Sequence, residues 1–231
     1  MDIDILDWFM SPRCAFDLSE LSKFHCFKSP DETSSYSLCQ KFVNFIATSL
    51  QDLALSPPLA FGQITHPHPV HPVSATTQFN PIPNLSCLRL SLIQNTAMDP
   101  RSIHLPWAIK LLANLSHPQN PQYLDISYDF NDWDHSKPVE AQLDSYEYYL
   151  DPSRRQIIGW DDFDDLLSSK TFASLHTIHF AVLSRRKILY PVFKAILPKL
   201  LPKLNQKGLL KVTRTNELGL MSEREFWYYC R

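Results

Sequence analysis

The side chains best equipped for chemistry are three histidines within six residues, His66, His68 and His71, set in a proline-rich run from Thr65 to Val73. In an extended chain His66 and His68 point the same way, as a metal pair must. A structural zinc site needs about four ligands held by a scaffold. No cysteine or fourth ligand lies nearby, so no metal is expected. His176 and His179 stand three apart on an expected strand, which puts them on opposite faces, and neither fits HExxH, which requires a helix.

Carboxylates crowd residues 129–165, including Asp129, Asp132, Asp134, Glu140, Asp144 and Glu147, then Asp161, Asp162, Asp164 and Asp165. Paired acids of this kind serve glycoside hydrolysis, and a hydrolase drawing on them is the enzymatic alternative. Solvation and helix capping explain the same acids without catalysis, and nothing in the spacing brings two together. The four glycines, at 62, 159, 208 and 219, lie too far apart for GxGxxG, a Walker loop or a GxSxG elbow. No catalytic residue and no cofactor is expected, and the chain reads as something other than an enzyme.

Binding is the remaining chemistry. Trp133, Tyr146, Tyr148 and Tyr149, with Arg154 and Arg155, combine the residue types that dominate protein interfaces, and they are the candidate partner-binding residues. Arg185, Arg186 and Lys187 read as a solvated turn. The C-terminal Phe226, Trp227, Tyr228 and Tyr229 suit either an interface or the cap of an open sheet end. A formal charge of −2 and a pI near 6.5 give no basic footprint, so nucleic acid is not expected as a partner. Cys14, Cys26, Cys39, Cys87 and Cys230 are odd in number and scattered, which suits reduced thiols of a cytoplasmic or nuclear protein. The acidic N-terminus lacks the basic region of a secretory signal, and no apolar run approaches the roughly 20 residues of a membrane span.

The elements that must position these groups recur along the chain. The pattern apolar-x-x-apolar-x-apolar appears at Leu21/Phe24/Cys26, Leu50/Leu53/Leu55, Leu85/Leu88/Leu90 and Leu175/Ile178/Phe180, with half copies at Leu124/Ile126 and Leu210/Val212. Its last three positions alternate, so each copy predicts a short strand with one face inward. Helical stripes fall between most copies: Leu38, Phe42, Phe45, Ile46 and Ser49; Trp107, Leu111, Leu112 and Leu115; Trp160, Phe163, Leu166 and Leu167; and Phe193 to Leu204, where Pro198 and Pro202 must break or kink the helix. A further short helix is expected at Ile3, Leu6 and Met10.

A strand–helix–strand unit cannot bury its own apolar face, so copies stack. The expected fold is therefore α/β: one irregular leucine-rich-repeat-like solenoid over 1–231, with short parallel strands alternating with helices. The copies start at 21, 50, 85, 121, 175 and 207, further apart than the roughly 20–29 residues of a regular leucine-rich repeat. Two insertions account for part of the excess. One is proline-dense and expected to be flexible, at 56–84; the other is acidic and aromatic, at 129–158.

Asp4-Ile5-Leu6-Asp7-Trp8-Phe9 and Phe16-Asp17-Leu18-Ser19-Glu20-Leu21 resemble the repeat joint of the F-box and leucine-rich-repeat-like proteins of mushroom-forming fungi. Thr171–Phe180, Leu200-Leu201-Pro202-Lys203-Leu204 and Lys207-Gly208-Leu209-Leu210-Lys211-Val212 are similar to their final repeats. The resemblance implies a protein-interaction module, the repeat region through which an F-box-like ubiquitin-ligase subunit recognises its substrate. The Leu-Pro-x-Glu-type start of an F-box is not seen, which leaves the recognition half and argues against docking of a Skp-type adaptor. A truncated remnant with no specific partner is the competing non-enzymatic reading.

Overall fold

The structure is a computed structural model that describes residues 3–12, 14–26, 33–55, 79–93, 105–115, 121–129, 150–183 and 189–215. A strand stands at each of the six expected places: β1 (Lys23–Cys26), β2 (Asp52–Leu55), β3 (Cys87–Ile93), β4 (Tyr123–Asp129), β5 (Thr177–Leu183) and β6 (Leu210–Thr215). They form one parallel sheet in chain order. Parallel neighbours need long crossovers, and most of these are helical. The helices are α1 (Ile3–Phe9), α2 (Thr33–Phe45), α3 (Leu105–Leu115), α4 (Arg155–Ile158), α5 (Trp160–Ser168), α6 (Leu189–Leu200) and α7 (Pro202–Gln206).

The register turns the repeated pattern into rows. Phe24, Leu53, Leu88, Leu124, Ile178 and Leu210 are successive partners across the sheet, and so are Cys26, Leu55, Leu90, Ile126, Phe180 and Val212. Both rows belong to the apolar core, joined there by Leu38, Phe42, Leu111, Leu112, Phe163 and Phe193 from the helices. Burying these side chains is what holds the strands in register, because a slip of one residue would turn every apolar row outward.

The strand starts repeat as well. The carbonyl just before a strand accepts two successive amides from the next copy: Ser22 from Gln51 and Asp52, Gln51 from Ser86 and Cys87, Ser86 from Gln122 and Tyr123. At the far edge, Leu209's carbonyl bonds Ile178 of β5, so Val212's carbonyl, three residues along, faces outward. The Tyr190 hydroxyl donates to it at 3.4 Å, which occupies one acceptor on the outer side of β6.

Some side chains depart from the expected stripes. Phe45 points outward and is 56% exposed, because α2 ends there and Ile46 and Ala47 take the inward positions. Pro198 lies inside the last turn of α6 without ending it, whereas Pro202 starts α7, where its missing N–H costs nothing. The end of the first insertion is packed: Phe79 and Ile82 are buried, Asn80's amide donates to Asn44 Oδ1 at 2.7 Å, and Asn84 Nδ2 donates to the Thr48 carbonyl at 2.6 Å. The end of the second insertion is likewise built in, with Leu150 and Ile158 buried.

Gly159 joins α4 to α5 at φ +97°, a conformation that a Cβ disfavours. A Cβ there would also touch Ile109 Cδ1 at 3.5 Å, ordinary contact, so backbone strain is the main cost. Gly159→Ala is expected to lower stability by about 1–2 kcal/mol in urea denaturation. An unchanged midpoint would show that the junction relaxes.

Candidate functional site

The face of the sheet opposite the core is where the polar side chains gather. In each strand the residue between the two apolar rows points that way: His25, Ala54, Arg89, Asp125, His179 and Lys211, six partners in one row. The row before it holds Lys23, Asp52, Cys87, Tyr123 and Thr177, and the row after it Ser91, Ser127, Ala181 and Thr213.

Five of these side chains form a ladder of alternating sign. His25 Nε2 stands 3.6 Å from Asp52 Oδ1, Arg89 Nη2 donates to Asp52 Oδ2 at 2.9 Å, and Arg89 Nε lies 3.7 Å from Asp125 Oδ2. His179 Nδ1 is 3.2 Å from Asp125 Oδ1, and its Nε2 is 2.7 Å from the Thr213 hydroxyl. Adjacent strands about 4.8 Å apart bring each carboxylate between two cationic or titratable groups. Asp52 is 6% exposed, so the Arg89 guanidinium is what compensates a nearly desolvated charge. Arg89, Asp125 and His179 are half-buried, open enough to meet another molecule.

Burial pushes the Cys87 thiol up to about 11, so it is a protonated and weak nucleophile at neutral pH. Cys14, Cys26, Cys39 and Cys87 are unbridged. Among the described residues no cluster of three or more metal-ligating side chains occurs, and no helix is long and apolar enough to cross a membrane. A cavity of about 370 Å³ between the end of α1 and the end of α2 is lined, among the described residues, by Phe9, Cys14, Phe16, Phe45 and the carboxylate of Asp17.

Of the residues singled out for partner binding, Arg154 and Arg155 are described, and the structure engages both with acids. Arg154 Nε is 3.4 Å from Asp151 Oδ2. Arg155 Nη2 is 2.5 Å from Asp161 Oδ1 and 3.6 Å from Asp164 Oδ2. Trp133, Tyr146, Tyr148 and Tyr149 lie outside the described residues, as do His66, His68, His71, Arg185, Arg186, Lys187, Cys230 and the C-terminal aromatics. His176 is exposed beside Tyr123, with ring centroids 6.4 Å apart, and His179 belongs to the ladder.

One acid of the 161–165 group differs from its neighbours. Asp164 is fully buried, and its two oxygens accept the backbone N–H groups of Lys203 and Leu204, each at 3.0 Å. These are orphan donors of the first turn of α7, whose own N-cap, Leu201, has no side-chain oxygen to offer. Asp164 therefore caps α7 from a distance.

No family model matches the chain, and neither a curated protein nor a solved structure matches it.

Proposed function

We propose that the chain is a protein-recognition module, an irregular leucine-rich-repeat-like solenoid that meets its partner with the open face of the sheet. The observation that carries this reading is the charge ladder from His25 to His179, a set of fixed polar groups on the face of the sheet opposite the core. Pre-positioned charges of this kind give a contact its specificity and register. Following the resemblance of its repeats, we assign the module to substrate recognition in an F-box-like ubiquitin ligase.

Affinity purification of the tagged chain, with mass spectrometry of what is retained, tests the reading when run beside two face variants, Lys211→Glu and Arg89→Gln. A partner of the open face should fall at least about tenfold in both, the effect of losing one interface hot spot. Ile157→Ser, on the exposed surface of α4, should retain it. Equal retention by wild type and both face variants would sink the assignment of the face, and recovery of a Skp adaptor would add adaptor docking to the ligase reading.

A further inference from the structure

The ladder changes sign with two protons. With neutral imidazoles it holds one cation, Arg89, against Asp52 and Asp125; with both imidazoles protonated it holds three cations against the same two acids. Imidazole is the side chain whose charge changes between about pH 5 and 8. The outer strands add Lys23 on β1 and Lys211 on β6, both exposed and in register with this face.

Among the described residues, charged and polar groups flank both histidines. His25 faces Asp52 of β2, with Lys23 two residues along its own strand and Arg89 beyond the shared acid. His179 faces Asp125 of β4 on one side and Thr213 and Lys211 of β6 on the other. The Thr213 hydroxyl suits both protonation states. It donates to Nε2 of a neutral ring whose Nδ1–H serves Asp125, and it rotates to accept from Nε2–H once the ring is charged. The site therefore gains a charge without losing a hydrogen bond.

Counting Lys23 and Lys211, the named groups of the face are three cations against two acids with neutral imidazoles and five against two once both are protonated, so the charge left to complement is positive and grows as the pH falls. We propose that the open face docks an acidic extended segment of a partner protein, and that protonation of His25 and His179 tightens this docking. From β1 to β6 the face spans about 24 Å, at roughly 4.8 Å per strand, the length of about seven residues of extended chain. The proposal rests on the recognition reading above and adds the partner's charge and its control.

The test uses the full chain and a fluorescein-labelled, terminally blocked peptide of alternating Asp and Ser, with a Lys/Ser peptide as its opposite. Polarisation titrations at pH 7.5 and pH 5.5 in low salt should show the Asp peptide binding about five- to tenfold more tightly at the lower pH. The gain should shrink at 0.5 M salt. In the His25→Gln/His179→Gln double variant the pH dependence should vanish. An equal pH gain in the double variant, or no binding of the Asp peptide at pH 5.5, overturns the proposal. Preference for the Lys peptide would also overturn it while leaving a recognition face in place. Should the double variant fail to melt cooperatively, imidazole proton resonances of the wild type, titrated with and without Asp peptide, decide: bound peptide should move both midpoints to higher pH, and unmoved midpoints count against it.

Discussion

Asp164→Ala is expected to be among the most damaging single substitutions in the chain, lowering stability by about 3–5 kcal/mol, the usual result of removing one member of a buried pair. Three losses coincide. The N–H groups of Lys203 and Leu204 lose their buried acceptor, and Arg155 loses one of its two carboxylates. In a domain of this size the melting temperature should fall by roughly 10 °C. Asp164→Asn keeps an acceptor oxygen and the side-chain volume, so a smaller loss of about 1–3 kcal/mol is expected. Urea denaturation of both variants checks the order. Equal costs would show that the charge, rather than the hydrogen bonding, holds α7 in place, and a negligible cost in both would remove Asp164 from any structural role.

Trp160→Ala should cost as much by a different route. Trp160 is fully buried where α5 meets the sheet, with its ring 6.3 Å from both Tyr128 of β4 and Phe163, and Tyr128 in turn 5.2 Å from Phe193 of α6. Removing the indole leaves a void bounded by elements from two successive copies of the repeat, which cannot close without moving a strand. The expected loss is about 3–5 kcal/mol, transfer and cavity contributions together. Trp160→Phe retains a ring against Tyr128 and should cost clearly less. If Trp160→Ala lost under 1 kcal/mol, the site would have to collapse more freely than a packed interior allows.

The strands were legible because each carries two apolar residues of a fixed pattern, and the register then aligned those residues into rows. Helix positions were legible for the same reason; the side chains that departed, Phe45 above all, sit where a helix ends and periodicity stops applying. The ladder was harder to see, although its signal was present. Superposing the copies puts His25, Ala54, Arg89, Asp125, His179 and Lys211 in a single column, between the two apolar positions. Attention to histidine pairs and acid clusters along the chain misses it, since its successive members are 27 to 54 residues apart in sequence and meet only through parallel pairing.

Asp164 illustrates the opposite error. Its position, four after Trp160 and three before Leu167, lies on the inward stripe of α5, and an acid there signals a buried partner rather than solvation. The partner was also written in the sequence, as a proline-initiated helix whose N-cap is leucine. Their pairing across nearly 40 residues was not, because it depends on how two helices stack.

Strand order that follows chain order has a consequence for how the protein is made. Each strand pairs with the one synthesised just before it, so no segment must wait for a distant later one, and units can dock one after another as they leave the ribosome. The same arrangement makes length changes cheap in evolution. Residues added to one connection lengthen a loop while every row on either side keeps its register, which is how spacings as uneven as those here remain compatible with one continuous sheet.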